Sequence, residues 1–125
     1  MINDVNFYPG QLVVLRSGSP VMTINSIYNN GENVASCRWF ASEACSEDFY
    51  VSVLKPHTVQ SLQPHENMEF SVGDVVHLRS DGSPAMTIES IRDDDSRKEV
   101  NCIWFDKTNP RKSSSASFHP NALYK

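Results

Sequence analysis

The residues that could do chemistry are few. Cys37, Cys45, His57 and His65 are four potential metal ligands. Small zinc sites are normally built on a closely spaced cysteine pair, and this set has none. Cys37 also belongs to an apolar stretch that is repeated around Cys102, which points to a packed thiol rather than a ligand. Cys45 is the one unrepeated cysteine, and Glu43, Glu47 and Asp48 surround it. Nearby carboxylates raise a thiol pKa and oppose nucleophilic thiolate chemistry. His57, His65, His77 and His119 do not recur at matching positions, and no general base stands in a recognisable relation to a nucleophile. The turns Ser17-Gly18-Ser19-Pro20 and Ser80-Asp81-Gly82-Ser83-Pro84 carry hydroxyls and glycine. They lack the several glycines and following helix of a phosphate loop. The expectation is a protein that is not an enzyme and holds neither metal nor cofactor.

Binding chemistry offers more. Arg92, Arg97, Lys98, Lys107, Arg111 and Lys112 cluster in the second half, interrupted by Asp93, Asp94 and Asp95. The net charge of −4 supplies no basic stripe for a phosphate backbone. Nucleic acid is therefore the alternative partner, acting through the charged loops of the second half, and another protein is the favoured one. Arg16 and Arg79, with Thr23 and Thr87, occur in both halves and form the candidate repeated polar surface. The interaction set is then Arg16, Thr23, Arg79, Thr87, Arg92, Arg97, Lys98, Lys107 and Arg111.

These residues lie on a pattern that occurs twice. Gly10 to Ser17, followed by Gly18-Ser19-Pro20-Val21-Met22-Thr23-Ile24, is matched by Gly73 to Ser80 and Gly82-Ser83-Pro84-Ala85-Met86-Thr87-Ile88. Each copy continues to a Cys-x-Trp-Phe, at Cys37–Phe40 and Cys102–Phe105. Such repetition is read before anything else because it sets the architecture. Period-two alternation predicts strands at Leu12–Arg16 and Val75–Arg79, with Val13, Leu15, Val76 and Leu78 inward. Met22 and Ile24, like Met86 and Ile88, share a face, but Ile27 and Ile91 fall out of phase. That slip predicts a β-bulge or bend near Asn25–Ser26 and Glu89–Ser90. Asn30-Gly31 predicts a tight hairpin. The third strand places Ala35, Cys37 and Trp39, or Val100, Cys102 and Trp104, on one face, with Phe40 and Phe105 on the other. Fourth strands fall around Phe49–Val51 and Ser115–Phe118, and each copy closes with one helical turn or a short strand.

The second copy, from Val72-Gly73-Asp74-Val75-Val76-His77-Leu78-Arg79-Ser80 through Met86-Thr87-Ile88 to Cys102-Ile103-Trp104-Phe105, resembles the small bacterial YodC-like family. The first copy resembles it with Gln11 in place of the aspartate. The resemblance implies small all-β units of SH3-like type and supplies no catalytic residue. The usual member carries a single copy.

The reading is an all-β protein of two tandem SH3-like β-barrels, at 1–56 and 70–125, joined by a proline-containing linker at 57–69 and packed as a pseudo-twofold pair. Mutual packing of the halves through Phe40 and Phe105 is favoured, because each unit is near the lower size for independent folding. No apolar run reaches membrane-spanning length and the first residues show no secretory pattern, so the expected location is cytoplasmic, with no membrane partner. The expected function is a non-catalytic interaction or regulatory module using surfaces from both copies. A small inhibitor carried by a mobile element is a further alternative.

Overall fold

The computed structural model describes residues 7–41, 43–57, 69–80, 82–94, 97–106 and 109–125. The chain runs through β1 (Leu12–Leu15), β2 (Met22–Asn30), β3 (Glu32–Phe40), β4 (Ala44–Tyr50), β5 (Leu54–Pro56), β6 (Val75–Leu78), β7 (Met86–Asp94), β8 (Arg97–Asp106), β9 (Asn109–Phe118) and β10 (Leu123–Tyr124). A 3-10 turn precedes β5 at Val51–Val53, and another precedes β10 at Pro120–Ala122. The strands form two five-stranded sheets, in the orders β4-β3-β2-β1-β5 and β10-β6-β7-β8-β9. All their pairings are antiparallel. The chain thus makes the same walk in both halves, ending on the far side of the first strand.

Two local devices recur. In the first turn the Leu15 N–H donates to Ser19 Oγ at 3.0 Å, and Ser19 Oγ donates to Pro20 O at 2.9 Å. In the second, the Leu78 N–H donates to Ser83 Oγ at 3.1 Å and Ser83 Oγ donates to Pro84 O at 2.8 Å. The serine hydroxyls close the turns, a use typical of side chains that mimic backbone partners. Gly18 and Gly82, at φ of 107° and 91°, take the left-handed positions that these turns require. The second device is the bulge. The β2–β3 register shifts between Ile24 and Ser26, and the β7–β8 register shifts between Ile88 and Ser90. The extra residue twists each sheet and brings Ile27 and Ile91, paired with Ala35 and Val100, back to the face of Ile24 and Ile88, paired with Cys37 and Cys102. The predicted bends are therefore present at the expected residues.

Each sheet covers its own core. Val13, Met22, Ile24, Ala35, Cys37 and Leu54 form the first. The second is larger and includes Val76, Leu78, Met86, Ile88, Val100, Cys102, Trp104, Phe118 and Leu123. The inward faces predicted from alternation are the buried ones, with Leu15 only partly so. Trp104 is buried, whereas Trp39 is partly buried against the first core.

The expectation of two barrels is met as far as two antiparallel sheets. Among the described residues nothing pairs β4 with β5 or β9 with β10, so neither sheet is closed. The linker expected at 57–69 lies outside the described residues except for its ends.

The expected pseudo-twofold packing is not what joins the halves. The Ser80 N–H donates to Thr23 Oγ1 at 2.8 Å, and the His119 N–H donates to Asn25 Oδ1 at 2.7 Å. Arg38 Nη1 donates to Ser117 O at 2.8 Å, with its guanidinium 5.2 Å from the Phe118 ring centre. Phe40 meets Trp104 edge-on, centroids 5.5 Å apart at 78°. A twofold would repeat these contacts with the halves exchanged. Instead Thr87, Glu89 and Ser17 are exposed and Phe105 is 64% exposed. The face made by β2 and β3 sits on a different surface of the second half: its first turn, Trp104 and the end of β9. The reason lies in the residues that differ. Arg38 supplies the donor and cation for Ser117 O and Phe118, and Ile103 at the matching position supplies neither.

Candidate interaction face

The two arginines of the candidate surface are structural ties. Arg16 Nε donates to Ser52 O at 3.1 Å, and its backbone N–H donates to Val53 O at 2.9 Å. Arg79 does the same to Asn121 O at 2.8 Å and Ala122 O at 2.9 Å. Each fastens the end of its half's first strand to the 3-10 turn before the last, which accounts for an arginine at both positions without a ligand. Of the two threonines, Thr23 is fully buried in the seam, contrary to the partly exposed position expected for it, and Thr87 is exposed.

The basic candidates do not converge on one charge. Arg92 pairs with Asp94 at 3.0 Å. Lys98 and Arg111 are exposed. Arg97 lies on β8, its side chain outside the described residues, as is Lys107. A groove of about 720 Å³ runs beside Arg92, Lys98, His119 and Asn121, but Glu69, Asp93 and Glu99 line it as well. Its potential is mixed, unlike the single-sign surface that concentrates a polyanion. Burial, reinforced by Lys98, pushes His119 below its ordinary 6.5, which keeps the ring neutral while Nδ1 accepts from the Asn121 N–H at 3.1 Å.

The cysteines separate in the same way. All three are free thiols. Burial pushes Cys37 up to about 12, Asp48 adding to the rise, and Cys102 up to about 11. Raised values leave both as neutral thiols near neutral pH. Cys45 is partly exposed, on β4, where its Sγ donates to Glu43 O at 3.4 Å. Brief treatment of the native protein with iodoacetamide is expected to add one label, at Cys45, with Cys37 and Cys102 labelled only on unfolding. Mass spectrometry reads the count; three labels on the native protein would contradict the burial. Among the described residues no group of three or more His, Cys, Asp or Glu is placed to hold a metal ion. His65 lies outside them.

What the structure does assemble is an apolar face on the second sheet. Val75 pairs with Thr87 and Thr87 with Ile103, so the three form one row across β6, β7 and β8. Phe105 follows Ile103 on the same side of β8. Val75 is 56% and Phe105 64% exposed, with Ile103 partly so. Ser113 and Ser115 border them on β9, opposite Phe105 and Ile103. The same row in the first half is Leu12, Thr23 and Arg38, continued by Phe40, and there the second half covers it. Val75 and Ile103 did not stand out as surface residues in the sequence. The available signal was their period-two phase opposite to Val76, Cys102 and Trp104.

Two open antiparallel five-stranded sheets with an exposed apolar row define a class of architecture, not a reaction. Residues 71–123, the second sheet with its first turn and closing 3-10 turn, match a family described as uncharacterized small protein (DUF2158). No curated protein matches the chain. Among the described residues no helix is long and apolar enough to cross a membrane.

Proposed function

We propose that the protein is a non-catalytic interaction module of the cytoplasm, built from two tandem YodC-like, SH3-like units, and that its binding surface is the row Val75, Thr87, Ile103 and Phe105. One observation carries this reading: a phenylalanine with 64% of its surface in water, at the position where the first half has its own phenylalanine partly buried against Trp104. Exposed apolar side chains gathered on one face, bordered by polar ones, are the usual mark of a docking site. The free thiols agree with a reducing compartment.

The test is a photocrosslinking amino acid placed at Phe105, with a control at exposed Arg111, in intact cells. Discrete protein adducts at 105 and absent at 111 are expected. Adducts at neither site, or the same at both, would remove the face from consideration. Adducts to nucleic acid would replace the reading by one in which the second half binds a polynucleotide.

A further inference from the structure

The contact between the halves is heterologous, meaning that two different surfaces meet. A chain that carries both surfaces twice, and uses each once internally, keeps one of each unused among the described residues. The used pair is the β2–β3 face of the first half and, on the second half, the first turn with Trp104 and the end of β9. The unused pair is the β7–β8 face of the second half and, on the first half, Ser17, Trp39 and Phe49. Burial follows this division. Ser80 and Phe118 are 2% and 1% exposed, whereas Ser17 is exposed and Phe49 partly so. Thr23 is at 0% and Thr87 is exposed.

Resting on the proposed binding face, we infer that its partner is a second copy of this chain: the second half of one molecule docks on the first half of the next, as the first half docks on the second within the molecule. The matching contacts are chemically available. Phe105 meets Trp39 as Phe40 meets Trp104. Thr87 Oγ1 accepts from the Ser17 N–H as Thr23 Oγ1 accepts from Ser80. Gly82 lies beside Phe40, an added Cβ meeting Phe40 O at an ordinary 3.6 Å, and Gly18 stands at the matching position of the first half.

Two substitutions weaken the interchain version. Ile103 replaces Arg38, so the bond to a carbonyl and the cation over the ring are lost. Glu89 replaces Asn25, and its carboxylate, which already accepts from Asn101 Nδ2, stands where Asn25 Oδ1 takes the His119 N–H in the internal contact. The internal contact also has the advantage of a tether, which raises effective concentration, and the interchain contact does not. Association is therefore concentration-dependent and strengthened by salt, which screens the repulsion between chains that each carry a net charge of −4. Because the contact is head to tail, it propagates into a ring or an open string rather than stopping at a symmetric dimer.

Sedimentation of the full chain at rising concentration and at two salt levels tests this. The average mass is expected to climb above the 14.1 kDa of one chain, more so in salt. Phe105→Asp removes one end and Ser17→Arg the other. Both positions are exposed, so folding is checked simply by circular dichroism. Each variant alone is expected to stay monomeric, while their equimolar mixture forms a species of two chains and nothing larger, since one intact end of each remains. A wild-type chain that stays monomeric overturns self-association, and the proposed face is then judged by whether the crosslinker at 105 captures a different protein. Wild-type assembly untouched by either variant overturns both. A symmetric dimer formed by one variant alone overturns the head-to-tail arrangement.

Discussion

Phe118→Ala is expected to lower the unfolding free energy by about 3–5 kcal/mol, the range for truncating a buried phenylalanine. Phe49→Ala at the matching position is expected to cost about 1–2 kcal/mol, as for a ring only partly removed from water. The two rings have the same local setting. Phe49 pairs with Ala35 across β3–β4, and Phe118 pairs with Val100 across β8–β9. They differ in what lies over them. Phe118 is 1% exposed because the Arg38 guanidinium covers it from the other half. Phe49 carries no such cover among the described residues and stays partly exposed. Losing Phe118 opens the larger core and removes the platform of the seam together. Against a total stability of about 5–15 kcal/mol for a small domain, that places the variant near unfolding. Urea titration of both variants gives the comparison; equal costs would mean that the halves are not packed asymmetrically.

Thr23→Val is expected to cost about 1–3 kcal/mol, because the buried Ser80 N–H loses its acceptor and gains no water. Thr87→Val at the matching position is expected to change stability by no more than about 0.5 kcal/mol, as for an exposed substitution away from special features. Valine suits a strand at both sites, so propensity does not separate them. Amide exchange adds a local readout: Ser80 is expected to exchange faster in Thr23→Val, even where the global stability difference is small. A larger loss at Thr87 than at Thr23 would reverse the assignment of covered and open faces. The guanidinium of Arg38 is the neighbouring contributor. Burial lowers its pKa, and Asp48 and Glu99 work in the opposite direction. Its hydrogen bond to Ser117 O and its cover on Phe118 offset part of that burial, while Nε is buried without a partner among the described residues.

The open face lies within residues 71–123, the part of the chain that matches the uncharacterized small-protein family. Its surface row is apolar and exposed. On the same face the first half carries Arg38 where the second has Ile103 and Asn25 where the second has Glu89, and these are the residues that hold the seam. The first half thus carries the residues that suit it to bind its neighbour in the chain.

Most of the secondary structure was legible in the residues. Inward positions follow from alternation, the turns from serine, glycine and proline at fixed offsets, and the two bulges from a phase slip that occurs in both halves. The arginine ties were visible as repeated residues, although their partners at Ser52 and Asn121 were not. These features depend on neighbours a few positions away or across a hairpin, where chain geometry leaves few alternatives. The seam is of another kind. Thr23 and Thr87, or Phe40 and Phe105, stand in nearly the same local sequence, yet one of each is covered and the other is open. That choice depends on contacts such as Arg38 with Ser117 and Thr23 with Ser80, between residues far apart in the chain. The repeated sequence determined two like sheets. Only the tertiary structure decided that they meet through unlike surfaces, because burial at a seam is set by the partner surface and not by the strand that carries the side chain.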